Sequence, residues 1–285
     1  MRLPLLCILL LGLAAGVARA QDLLVEEYRF GDFTSAHAIV MDQFGDVYVS
    51  DAGSSMLRKF SIKGALLAEI GGHGWDVTQF DQLRGIDASL GVAVYAADRG
   101  NRRIVRLDRN LNVVASLGTE DAALDVGYPI DVAASSFETL FILDGENARV
   151  LAVNGFSSVA RSFGGIEAGE GRLRNPVALA QAGSERLYVL EAERVVVFDL
   201  FGSYRFQFGS GQLRDARGIA VSDDRVAVVL PDALLLYSHE GSLLAKFDTT
   251  RLALASAGQE FRDIAFGRDF LLILTERTCI LIPVN

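Results

Sequence analysis

One phrase recurs down the chain at a near-constant interval. A short β-rich run ends in an acid: Val47-Tyr48-Val49 before Asp51, Val94-Tyr95-Ala96 before Asp98, Leu140-Phe141-Ile142-Leu143 before Asp144, and Leu187-Tyr188-Val189-Leu190 before Glu191. Degenerate copies end at Leu230 and Thr275, and successive anchors lie 47, 46, 47, 39 and 45 residues apart. Each full interval holds four apolar runs separated by turn residues. Such a period, with four short strands per unit, belongs to propeller blades; solenoid units are shorter and turn with a different rhythm. Six anchors predict an all-β, six-bladed β-propeller of four-stranded antiparallel blades, one domain over residues 21–285.

The strand count predicts how the ring closes. In blade one the strands are placed at 37–42, 46–50, 57–62 and 65–70. Blade six offers only three runs before the chain ends at Asn285. The segment 23–31 resembles an outer strand and has no blade of its own. Pairing it beside 278–283 closes the ring with the N-terminal strand and removes two exposed sheet edges. One helical turn is allowed, at 251–257.

Residues 1–20 read as a secretory signal peptide. Arg2 precedes an apolar run from Leu3 to Val17, and Ala18-Arg19-Ala20 supplies small residues two apart. The expected location is therefore the periplasm or the cell exterior, with no membrane insertion after cleavage. Cleavage removes Arg2 and Arg19 and no acid, taking the formal net charge from −9 to −11. So acidic a chain argues against nucleic acid as a partner. Cys7 leaves with the signal, so Cys279 has no disulfide partner and is read as a buried, inert thiol. A monomer stabilised by core burial is expected.

The repeats resemble a known family. Asp98-Arg99-Gly100-Asn101-Arg102-Arg103-Ile104 matches the D-x-G-N-x-R-I core of NHL-type repeats, and Asp144-Gly145-Glu146-Asn147-Ala148-Arg149-Val150 matches it nearly as well. Asp51-Ala52-Gly53-Ser54 keeps the start but puts Met56 where the arginine belongs. The resemblance implies a six-bladed, TolB-like propeller and leaves function open, because such propellers include binding scaffolds and enzymes. A structural role is expected for Asp51, Asp98, Asn101, Arg103, Asp144, Asn147 and Arg149. The acids would accept turn N–H groups, the asparagines would take the left-handed conformation, and the arginines would pair with acids across neighbouring blades.

Propeller sites open where the innermost strands meet one face. The positions thirteen or fourteen before each anchor are His37, Arg84, Ile130, Val177, Arg217 and Arg262. A ring weighted to arginine repels a divalent cation and gives it no oxygen ligand. Asp87, Asp131 and Asp263, further along the inner strands, keep a metal-dependent alternative open, and Asp87 and Asp263 are also close in sequence to Arg84 and Arg262 as counter-charges. Trp75, with Phe80, is a second candidate contact, on a junction loop. There is no G-x-S-x-G and no paired histidine motif for zinc among His37, His73 and His239. The expectation is an exported, non-catalytic binding or scaffolding propeller without cofactor or metal. It would recognise a protein partner or an acidic small ligand or glycan through His37, Arg84, Arg217, Arg262 and Trp75. The alternative is a metal-dependent enzyme of the lactonase or lyase type.

Overall fold

The computed structural model describes residues 23–118, 125–136, 138–183, 185–255 and 258–284; residues 1–20, expected to form a signal peptide, lie outside them. Six four-stranded sheets, each an antiparallel meander, stand around one axis. The inner strands are Ala36–Met41, Leu83–Asp87, Pro129–Ala134, Pro176–Ala182, Gly218–Val221 and Phe261–Phe266, in blades one to six. No α-helix occurs among the described residues, and Gly169–Gly171 forms a 3-10 turn. The second and third strands of each blade are rich in Val, Ile, Leu and aromatics, and they are buried on both faces because neighbouring blades cover them. Six apolar clusters result, one at each blade interface.

Closure follows the expected route with one addition. Tyr28–Phe30 lies antiparallel to Cys279–Pro283, with Phe30 opposite Cys279 and Tyr28 opposite Leu281, and completes the sixth blade. The same segment bends before this pairing, and Leu24–Val25 runs parallel to Leu252–Ala253. That ladder replaces the helical turn expected at 251–257, whose residues 256–257 lie outside the described set. Leu252 is buried against Leu24 in the cluster between blades five and six, so a partner more than two hundred residues away overrides the local preference. Cys279 is buried in the last blade, and burial pushes its thiol pKa up, out of reach of thiolate chemistry.

The repeated acids pin the loop that enters the inner strand of their own blade. Asp98 accepts the Asp81 N–H at 2.8 Å, the Asn101 amide at 2.8 Å and Arg103 Nε at 2.7 Å. Asp144 accepts Gly127 N–H, the Asn147 amide and Arg149 Nε, and Glu191 accepts Asn175 N–H and Arg194 Nε. Asp51 accepts Thr34 N–H, Ser35 N–H and Arg58 Nη1, so Arg58 takes the arginine's place two residues beyond Met56. Two expectations are corrected. The arginines pair within their own blade, and Arg103 spends its remaining donors on the carbonyls of Trp75, Asp76 and Gln79 in the junction loop. The left-handed residues are Ser55, Arg102 and Ala148, while Asn101 keeps its side-chain amide for Asp98 and the Gly74 carbonyl.

Asp98 is fully buried, so Asp98→Ala strands an arginine and a backbone N–H at once. The expected cost is about 3 kcal/mol, read as a drop in melting temperature of about 6 °C or more. A drop of about 1 °C would show that the turn holds without its acid.

Candidate functional site

The six inner-strand positions singled out above are structurally equivalent. Each repeated anchor pairs with the residue just before its candidate: Asp51 with Ala36, Asp98 with Leu83, Asp144 with Pro129, Glu191 with Pro176, Thr275 with Phe261. The register then slips, so His37, Arg84, Ile130, Val177 and Arg262 fall at β-bulges. A bulge turns one side chain out of the pleat, which suits a residue aimed at a ligand.

At this mouth Arg84 Nη1 lies 3.2 Å from His37 Nδ1. A guanidinium only donates, so Nδ1 accepts and the neutral ring carries its proton on Nε2. Burial, Arg84 and Arg262 together push the His37 pKa down to about 3, which keeps the ring neutral at physiological pH. Arg217 is held by Glu260 at 2.6 Å and Asp215 at 3.1 Å. Arg262 lies 3.9 Å from both Glu260 and Glu276. A polar arc therefore runs over blades five, six, one and two, and the equivalent positions in blades three and four are Ile130 and Val177. Trp75 does not join Phe80: Trp75 is 82% exposed on its loop, while Phe80 is buried between blades one and two.

Asp87 and Asp263 are not the counter-charges of Arg84 and Arg262. With Asp131 they line the channel below, a cavity of about 150 Å³. Each carboxylate clips its blade to the next: Asp263 accepts Ile39 N–H, Asp87 accepts Ala134 N–H, and Asp131 accepts Leu179 N–H, at 2.8, 2.6 and 2.7 Å. Gly85 and Gly218 make room for this, since a Cβ there would stand 1.8 Å from Asp131 Oδ1 and 2.4 Å from Asp263 Oδ1. The sequence places these acids on inner strands, but their pairing depends on the angle between strands of different blades, which no local pattern encodes.

Burial raises the pKa of all three, Asp131 well above the ordinary range and Asp263 to about 7. Such an aspartate stays protonated in the fold while the unfolded chain ionises, so its stability is full below about pH 4 and is lost as pH rises to about 7. Asp263→Asn removes that loss. At pH 8 the variant is expected to be more stable than the parent by about 4 kcal/mol, with the gap closing by pH 4, as read by urea unfolding. A pH-independent gap would contradict the assignment.

The donor set does not fit a divalent cation. Among the described residues no three His, Cys, Asp or Glu side chains converge as ligands. The channel carboxylates are committed to backbone N–H groups, and the mouth presents guanidinium groups.

No family model matches the sequence, and no curated protein matches it. Solved structures do. A streptogramin B lyase shares 12% identity with a TM-score of 0.64, over 90% of this chain and 97% of that one. A catalytically inactive histidine-to-alanine variant of virginiamycin B lyase from Staphylococcus aureus, with quinupristin, shares 11% identity at a TM-score of 0.65, over 90% and 99%. A gluconolactonase from Xanthomonas campestris shares 14% identity at a TM-score of 0.67, over 90% and 88%. At these identities the likeness shows the propeller fold. It also corrects the expectation of a non-catalytic binding propeller, because the rings this chain superposes on are those of lyases and a lactonase.

Proposed function

We propose that the protein is a propeller enzyme of the lyase or lactonase kind, acting on the C–O bond of an ester at the mouth around His37. Removing a proton beside the ester carbonyl and delivering water to it both need a base and a group that polarises the carbonyl. The observation that carries the reading is the neutral His37 on its bulge beside Arg84. Its Nε2–H is a donor for a carbonyl oxygen, and its Nδ1 lone pair becomes a base when Arg84 turns to another acceptor. The names of the similar structures support the same class, one of them a lyase inactivated by loss of a histidine. No metal enters this reading. The D-x-G-N-x-R-I motifs further suggest an NHL-type member of the fold, and the N-terminal twenty residues suggest that it works outside the cytoplasm.

The test is turnover of gluconolactone, quinupristin and lactones bearing a free carboxylate by the purified protein, followed by mass spectrometry. Hydrolysis adds the mass of water; elimination leaves the mass unchanged and creates an absorbing double bond. Opening of at least one ring in the panel, insensitive to chelator, is the expected result. No reaction with any cyclic ester across such a panel would overturn the proposal, and loss of rate with chelator would reinstate a metal.

A further inference from the structure

We infer that the mouth takes a substrate bearing a carboxylate, captured by Arg84 and Arg99; this rests on the enzyme reading above and names its substrate class. Most arginines at this face already hold an acid: Arg58, Arg103, Arg149, Arg194, Arg217 and Arg262. Arg84 and Arg99 differ. Among the described residues neither has a carboxylate within ion-pair reach. Arg84 reaches only the neutral His37, and its buried Nε has no partner. Arg99 donates to Gln82 Oε1 at 2.5 Å and lies over the Tyr128 ring, 4.7 Å from its centre, with Arg102 at 4.6 Å from the same ring.

Leu83 pairs with Asp98 across the blade, so Arg84 and Arg99 follow the two members of one ladder pair. Burial and the charge of Arg99 both lower the Arg84 pKa, so the two cations repel in a partly dry place. A protein with 36 acids and 27 basic residues has carboxylates to spare, yet pairs none of its described ones with Arg84 or Arg99. An unpaired, half-buried guanidinium is a liability unless an anion arrives. The planar fork of arginine matches a carboxylate in two parallel hydrogen bonds, and Gln82 and Tyr128 hold Arg99 so that its fork stays ordered. Gln82 itself adopts a left-handed conformation at φ 54°, a strain that the surrounding loop must support.

The capture also explains how His37 becomes a base. A carboxylate that takes the Arg84 Nη1 donor frees the His37 Nδ1 lone pair. It also cancels part of the positive field that holds the ring's proton affinity down. The anion therefore both positions the substrate and switches on the group that acts on it.

The experiment titrates the mature protein with succinate, and with the neutral isostere succinamide, by calorimetry. Succinate is expected to bind at one site and succinamide at none. Arg84→Gln is expected to weaken succinate by about tenfold or more, and Arg84→Lys to recover only part of that, since a point charge lacks the fork. A second reading is independent of ligand. Removing an unpaired cation relieves repulsion, so Arg84→Gln is expected to raise the melting temperature by about 2 °C or more, where loss of an ion pair would lower it. Absence of succinate binding by the parent, or binding unchanged in both Arg84→Gln and Arg99→Gln, overturns the inference. Succinate binding without turnover of any ester would sink only the enzyme reading; turnover of neutral lactones without succinate binding would sink only the substrate class.

Discussion

A chain that begins at Asp32 instead of Gln21 is expected to lose most of its stability. The missing segment supplies the outer strand of blade six, the parallel ladder to Leu252–Ala253, and side chains in two interface clusters: Leu24 between blades five and six, and Phe30 between blades six and one. It also carries Glu26, which ties Arg29 and the Ala255 N–H, and Tyr28, whose hydroxyl donates to the Ile62 carbonyl of blade one. Losing the two apolar side chains alone costs about 5 kcal/mol on the scale of large-to-small core changes. The exposed edge of Cys279–Pro283 adds to that and invites association. Against a total of about 5–15 kcal/mol for a domain, the truncated ring should be largely unfolded or aggregated at 37 °C. Val25→Ser, at a half-exposed position, is the control and should change stability by about 0.5 kcal/mol or less. Equal urea midpoints for the truncated and full chains would mean that the ring closes without its latch.

How much of this was legible in the residues depends on the range of the interaction. The anchor interval placed six blades and the spare N-terminal strand, because both follow from counting strands of period two. It also found the mouth, since a fixed offset from each anchor lands on the same bulge in five blades. Asp98 and Arg103 were recognisable as members of one motif, but not as partners of each other. The arginine turns back onto its own blade, where the junction loop offers it the carbonyls of Trp75, Asp76 and Gln79. Arg58 escaped the motif because a two-residue shift along the third strand keeps the side chain on the same face. The fates of Asp87, Asp131 and Asp263, and the pairing of Arg217 and Arg262 with Glu260 and Glu276, join segments of different strands or blades. No sequence interval announces such contacts.

The mouth and the channel divide the labour of the inner strands. Channel carboxylates, their pKa values raised by burial, fasten three of the six blade-to-blade seams near the axis. This leaves the ring end above them free to carry charge. An acidic protein thus presents, beside its paired arginines, an Arg84 with no carboxylate partner among the described residues, and local field rather than net charge decides what enters such a cleft.

His37 is where the central claim stands or falls. Replacing a base that touches the reacting carbon should cut turnover by about a hundredfold to ten-thousandfold, while the fold, which uses His37 for no apolar cluster, should melt close to the parent. The decisive measurement is the initial rate of ring opening, at saturating and at low ester, for the parent and for His37→Ala, with the melting temperature of each taken alongside. The account predicts a loss of about two orders of magnitude or more in the saturating rate, with both proteins folded. A folded His37→Ala protein that opens the same ester within about threefold of the parent rate would contradict it.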